Sequence, residues 1–364
     1  MIHPQSPRLL RLRVIPLLNR PNYNHYTHAV NRSGLVMGEG ESSSSDADFL
    51  ATKVSGNQRS KAINALLAVT LVWGATFIWM KQALDNLDDE KVIFGMNAVV
   101  ATLVAARFAI ASLMMLTFFP KARSSLSNKQ IWKDGLLLGA LMFLAYFSQM
   151  VGLDDIDPSV SAFLTSLYVV FTAIITTFMA KKKPTRILLC GVFLATFGAG
   201  FIEGPPHLSW GLGEILTVIC AALFAFHIIY TQKITLLRDP IGVSTTSFII
   251  VTICSILMVV ILGEGSDVQQ WSLVASQGVL IPVILLGVGG TFFCLLLLNL
   301  FQRYLHPVQA AIIYALEPVW ATAIALSLGM VDWSVWIIVG GGSLFIGNII
   351  VEAFGGADKS TEEE

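Results

Sequence analysis

Charge is what this chain lacks: Asp, Glu, Lys and Arg together make up 13% of its 364 residues, about half the share found in an ordinary soluble domain. So few ionic groups cannot coat a water-facing surface of that size, which excludes a soluble globular protein. Cysteine is scarce too. Cys190, Cys220, Cys254 and Cys294 each stand alone in an apolar run, without a CxxC or Cys/His spacing. Neither a disulfide nor a metal site is expected, and the thiols read as small polarizable packing residues. No GxxxxGKS or GxxxxGKT loop occurs, which leaves an ATP-driven pump without its phosphate cradle. An HExxH helix, paired aspartates at depth and a serine with a partner base are also missing, which argues against an intramembrane protease or other enzyme. No cofactor and no nucleic-acid partner is expected.

What the chain does have is apolar sequence, 55% of all residues, with a mean hydropathy of +0.71. A polar head, Met1–Lys61, and a polar tail, Glu352–Glu364, flank the rest. In the head, Arg8, Arg11, Arg13, Arg20 and Arg32 precede the first acidic residue, Glu39. That bias fits an organelle transit peptide, which would place the protein in a plastid membrane. The other reading starts the protein at Met37 and takes the Ser-rich stretch Glu39–Asp48 as a disordered tail.

One helical span takes roughly 20 apolar residues, and ten apolar runs follow the head. They lie near Ala62–Met80, Ala98–Phe119, Gly135–Leu153, Ser159–Ala180, Ile187–Ile202, Gly211–Thr231, Ser244–Leu262, Val279–Phe301, Val308–Leu328 and Val335–Val351. Cations concentrate in alternate loops: Lys121, Arg123, Lys129 and Lys133, then Lys181, Lys182, Lys183 and Arg186, then Lys233 and Arg238, then Arg303. The other loops hold Asp85, Asp88, Asp89, Glu90, Asp154, Asp155, Asp157, Glu203, Glu264, Asp267 and Asp332, with Lys81 and Lys91 as their cations. Positive loops stay in the cytosol, so both termini are expected there, in a multi-pass protein of a cell membrane.

Sliding the second half over the first at an offset of 149 aligns Pro158 with Pro307, Ala162 with Ala311, Leu167 with Leu316, Val170 with Val319, Gly191 with Gly340 and Gly198 with Gly347. Residues 62–202 and 211–351 therefore read as two five-span repeats. An odd number of spans per repeat turns the two copies upside down relative to one another, an arrangement common in secondary transporters, which bind substrate near midplane. The expected fold is an all-α membrane protein of ten helices in two inverted five-helix repeats.

Ser161, Thr165, Tyr168 and Thr172 recur along one face of span four, a polar stripe that lipid would not reward. At the repeat offset, span nine presents Ala310, Tyr314, Glu317 and Ala321. Both faces are expected to line one cavity. Glu317 lies halfway along its span, where an ionised carboxylate needs a partner, and Arg107 lies equally deep in span two. They form either a pair across the cavity or a helix-packing pair. His227 and Tyr230 on span six serve as a proton shuttle or as packing. Gln149 and Asn299 are amides that either bond neighbouring helices or contact a ligand, and Trp73 joins the cavity candidates because Gly74 beside it permits close approach.

These residues resemble the EamA branch of the drug/metabolite transporter superfamily. The resemblance runs over roughly Ala62–Val351, through Trp73-Gly74-Ala75-Thr76-Phe77, Ala106-Arg107-Phe108, Leu316-Glu317-Pro318-Val319 and the glycine-rich tenth span. It implies a secondary carrier, in many members an exporter of amino acids or other small metabolites. By position it places Trp73, Arg107, Tyr168, Tyr314, Glu317 and Pro318 on or near the central cavity. Without Pro318, and with Thr165, His227 and Tyr230 added, these are the eight candidate substrate-binding residues. Two departures stand out. Val169 occupies the place of Pro318, so a helix break is expected in the second repeat alone. Span one has no acidic residue, so the single-glutamate exchange of the short four-span multidrug relatives is not expected, and any proton coupling would use Glu317 or His227. The expected partners are a small metabolite and the lipid bilayer, with the chain a monomer or homodimer. The competing functions are a lipid flippase or headgroup enzyme, and a non-transporting scaffold.

Overall fold

A computed structural model of the chain describes residues 56–179, 181, 186–201, 211–262, 268–305, 310 and 313–355. The transit-peptide or disordered head, the acidic tail beyond residue 355, and Lys182, Lys183, Glu203, Glu264, Asp267, Pro307 and Ala311 lie outside the described residues.

Among the described residues every regular element is helical. In chain order the principal helices are α1 (Gly56–Asp85), α2 (Met96–Phe118), α3 (Lys129–Asp155), α4 (Pro158–Met179), α5 (Arg186–Phe201), α6 (Leu212–Leu237), α7 (Pro240–Leu262), α8 (Leu280–Tyr304), α9 (Glu317–Ser327) and α10 (Gly342–Gly355). Seven of them, α1 to α4 and α6 to α8, are long and apolar enough to cross a membrane. The remaining three stand where spans five, nine and ten are expected, as shorter helices.

Local chemistry sets the helix limits. Pro158 and Pro240 open α4 and α7, at a position where a missing N–H costs nothing. The Asn128 side chain caps α3 by accepting from the Gln130 and Ile131 amides at 2.9 and 3.4 Å, satisfying donors that have no partner inside the helix. Gly95, at φ 85°, ends the short helix Asp88–Phe94 and turns the chain into α2, a conformation glycine adopts without cost.

The helices enclose two apolar clusters. Phe77, Phe108, Phe248 and Phe292 fill one, between α1, α2, α7 and α8. Leu66, Phe163, Tyr168, Ala225 and Tyr314 fill the other. The peripheral pair α5 and α10 meets backbone to backbone. A Cβ on Gly198 would strike Leu344 N and Gly340 O, and one on Gly347 would strike Ala195 N and Gly191 O. Small residues in these places let membrane helices approach closely. Positions 191, 195 and 198 are the repeat counterparts of 340, 344 and 347, so each helix presents the same patch to the other.

One expectation needs correcting. The sequence predicts a helix break in the second repeat alone, at Pro318, yet the chain breaks twice, at Ser166–Leu167 inside α4 and at Ala315–Leu316 before α9. The two breaks are one repeat offset apart. In the second, Pro318 lacks the N–H that would continue the ladder. In the first, no proline is required. Leu167 N bonds Leu164 O and Val169 N bonds Ser166 O, a tightened turn, while the Ser166 hydroxyl bonds back to Phe163 O. Asn348 on α10 donates to Ser166 O and Oγ at 3.4 and 3.2 Å, so a carbonyl displaced from the ladder still has a donor.

The helix tips are clasped at both ends of the bundle. Lys81 on α1 donates to Asp154 O at 2.7 Å, and Lys91 on the short loop helix pairs with Asp154 at 2.5 Å and Asp88 at 2.6 Å. At the opposite end Gln232 on α6 donates to Leu305 O at 3.0 Å, and Gln302 on α8 donates to Ile228 O at 2.9 Å. The first clasp is ionic and the second is built of amides. Burial by itself would lower the Lys91 ammonium, but its bonds to Asp154 and Asp88 outweigh that and raise it above the ordinary lysine value. The bond from Lys91 holds exposed Asp88 below the usual carboxylate range. A raised lysine stabilises the fold below its ordinary pKa of 10.5 and loses that contribution as pH rises through the folded value. A lowered aspartate contributes above its ordinary pKa of 3.8 and loses it as pH falls. Lys91→Met is therefore expected to cost about 1 kcal/mol between these limits, read as a lower melting temperature. The difference from wild type should shrink in both strong acid and strong base.

Candidate functional site

The two helix breaks and the middles of α1, α3, α6 and α8 surround a small cavity of about 30 Å³, room for a water or two in this conformation. Its wall is built from pairs three residues apart, which lie on one side of a helix. These are Trp73 and Thr76 on α1, Tyr146 and Gln149 on α3, Thr165 and Tyr168 in α4, Phe224 and His227 on α6, Leu295 and Leu298 on α8, and Tyr314 and Glu317 at the second break. Ile228 completes it.

Each pair from the first half has a counterpart in the second. Tyr146 and Gln149 stand 149 residues before Leu295 and Leu298, and Thr165 and Tyr168 the same distance before Tyr314 and Glu317. Trp73 and Thr76 precede Phe224 and His227 by 151. Tyr168 donates its hydroxyl proton to its own counterpart, Glu317, with Oη 3.5 Å from Oε2. The counterparts have the same placement but different chemistry. The α3 pair is phenol and amide, whereas the α8 pair is leucine and leucine, so one side of the cavity is polar and the other apolar.

Hydrogen bonds and ring contacts position these side chains. Gln149 Nε2 donates to Thr165 Oγ1 at 3.3 Å. The Tyr314 hydroxyl donates to Gln302 at 3.1 Å, tying the cavity floor to the amide clasp. Trp73 packs against the Tyr314 ring at 5.5 Å between centroids, and its indole N–H donates to Gly290 O at 3.1 Å. That carbonyl lies in the widened, π-helical stretch Leu286–Phe293 of α8, where carbonyls are freed from the regular ladder. His227 faces Thr231 one turn along at 3.5 Å. Glu317 is 7% exposed, and among the described residues it has no ion-pair partner.

Six of the eight residues singled out in the sequence line this cavity: Trp73, Thr165, Tyr168, His227, Tyr314 and Glu317. Arg107 and Tyr230 do not. Arg107, 1% exposed, points from α2 to the back of the wall. Its Nε bonds Thr291 on α8, its Nη1 faces the Met80 sulfur, and its guanidinium lies 4.3 Å from the Tyr146 ring centroid. Tyr146 lines the cavity and Arg107 does not, and among the described residues Arg107 makes no hydrogen bond or ion pair to Glu317. Tyr230 is rotated about 60° round α6 from His227 and packs near Lys233 instead. The wall residues not foreseen as ligands, Thr76, Tyr146, Phe224, Ile228, Leu295 and Leu298, are mostly apolar or hydroxyl-bearing and so indistinguishable from packing. The signal that does find them is the repeat, because each three-residue pair recurs at a fixed offset.

Residues 60–203 match the EamA-like transporter family. An uncharacterized transporter of Archaeoglobus fulgidus is 29% identical over 266 residues, 73% of this chain and 77% of its own. The uncharacterized transporter YoaV of Bacillus subtilis is 20% identical over 45% of this chain and 53% of its own. A solved crystal structure shares the fold, with a TM-score of 0.59 at 14% identity, over 82% of this chain and 98% of that one. An all-helical protein with membrane-crossing helices around a cavity, matched to such relatives, is a multi-pass membrane transporter, similar over residues 60–203 to the EamA-like transporter family.

Proposed function

We propose that the protein is a secondary carrier that exports a small amphipathic metabolite, an amino acid or a related compound, by alternating access. Ten spans form two inverted repeats, residues 62–202 and 211–351, with both termini in the cytosol and the substrate held between the repeats. The observation that carries this reading is the cavity wall, where every pair from the first half has a counterpart in the same wall and Tyr168 touches a residue 149 positions away. A site placed this way lies where two inverted halves can rock about it and expose it to each side in turn. The two clasps support the same picture. Lys81 and Gln232 hold corresponding helix tips at opposite ends of the bundle, so opening one while the other holds would give access from one side. Any proton coupling would use Glu317 or His227, the ionisable groups on the wall other than the tyrosines.

Filling the cavity tests this. In proteoliposomes, Thr165→Tyr is expected to lose at least nine-tenths of substrate exchange while keeping a cooperative melt, since its counterpart is already a tyrosine. Undiminished exchange by a folded Thr165→Tyr protein would sink the assignment of the cavity as the transport site.

A further inference from the structure

Resting on the transport reading above, and narrowing its substrate from an amino acid to a related compound without the carboxylate, we propose that the cavity is built for an organic amine: one ammonium group on an aromatic or aliphatic body. Glu317 is the one acidic side chain in the wall, and neither lysine nor arginine lines it. Glu317 is buried, and its bonded partner among the described residues is a neutral phenol, Tyr168 Oη at 3.5 Å. A buried carboxylate needs a compensating charge, and a substrate ammonium supplies it.

The rings around Glu317 favour the same charge. Trp73 and Tyr168 both pack against Tyr314, with centroids at 5.5 and 6.5 Å, so aromatic faces cluster beside the carboxylate. The negative face of an aromatic ring attracts a desolvated cation. The apolar body of the substrate then has Leu295 and Leu298 on the α8 side.

A zwitterion fits worse. The nearest candidate to receive its carboxylate is Arg107, but that guanidinium does not line the cavity: it lies against the Tyr146 ring and bonds Thr291. A substrate carboxylate would share the cavity with Glu317 and meet like charge with no cation on the wall.

The test uses the purified full-length protein in detergent and matched pairs that differ by one carboxylate, tryptamine against tryptophan and phenethylamine against phenylalanine. A ligand that binds the folded state raises its melting temperature by mass action. Each amine is expected to bind at least tenfold more tightly than its amino acid, a difference of about 1.4 kcal/mol, and the amine-induced shift is expected to vanish in Glu317→Gln. The pairwise comparison is made on the native chain and stands even if the variant fails to fold. Equal or tighter binding of the amino acids, or no binding of either amine, overturns the proposal. Amines that bind but are not exchanged across proteoliposome membranes would uphold the amine site and overturn transport through it. Exchange of an amino acid with no amine binding would do the reverse.

Discussion

Glu317→Gln is expected to slow substrate exchange in proteoliposomes by about 10- to 100-fold while leaving the melting temperature unchanged or higher. The two effects separate because the variant keeps the shape of the site and removes only its charge. Glutamine fills the same volume beside Tyr168 and can still accept the phenol hydrogen bond. What disappears is the anchor for a charged substrate, and a charge-assisted contact contributes about 1.5–3 kcal/mol, or roughly one to two orders of magnitude in rate. Stability moves the other way because an unpaired carboxylate that is 7% exposed is expensive to bury in a membrane protein, and its neutral isostere is not. Initial rates and thermal melts of the two proteins side by side check both halves. A native rate would remove Glu317 from the binding machinery, and a collapsed melt would make it a structural residue.

Gly198→Leu and Gly347→Leu are each expected to prevent recovery of folded protein, and the alanine variants at the same two positions to cost about 3 kcal/mol apiece. At both positions the atoms that a new Cβ meets include backbone atoms of the facing helix, which cannot swing aside as a long side chain can. The helices must separate instead, and overpacking of this sort costs about 1–3 kcal/mol, occasionally more. Because α5 and α10 present the same patch to each other, the two alanine variants should lose similar amounts. Gly342→Ala is the control, since nothing lies within 4 Å of its Cβ position. Detergent melts of the three alanine proteins distinguish close packing from a general intolerance of bulk in glycine-rich sequence. A harmless Gly198→Ala would mean that α5 and α10 are not in backbone contact.

Much of the cavity was legible because polar residues at membrane depth are costly and must face something. The stripe through Thr165 and Tyr168, its counterpart through Tyr314 and Glu317, and His227 stand out against apolar surroundings for that reason. The direction of a long side chain was not legible. Arg107 sits at the expected depth, yet its stem carries the guanidinium towards Thr291 and against the Tyr146 ring, a choice set by three other helices. Tyr230 shows the complementary limit. A spacing of three residues from His227 puts it near the same face, but the cavity arc on α6 ends at His227. The break at Ser166 was hidden for a third reason. Proline advertises a break in its own identity, whereas Ser166 depends on Asn348, 182 residues away.

The contact between Tyr168 and Glu317 has an evolutionary consequence. If two half-length ancestors once paired upside down as separate identical chains, the residue on their shared axis would have faced itself. Two glutamates there would repel and two tyrosines would leave no charge. Joining the halves in one chain, after gene duplication, released the two copies from identity, so that one kept a hydroxyl donor and the other acquired the acid. On that history the chemistry of the site is newer than its architecture. A half-length polypeptide bearing tyrosine at the axis position could assemble into a homodimer and still be unable to hold a cation.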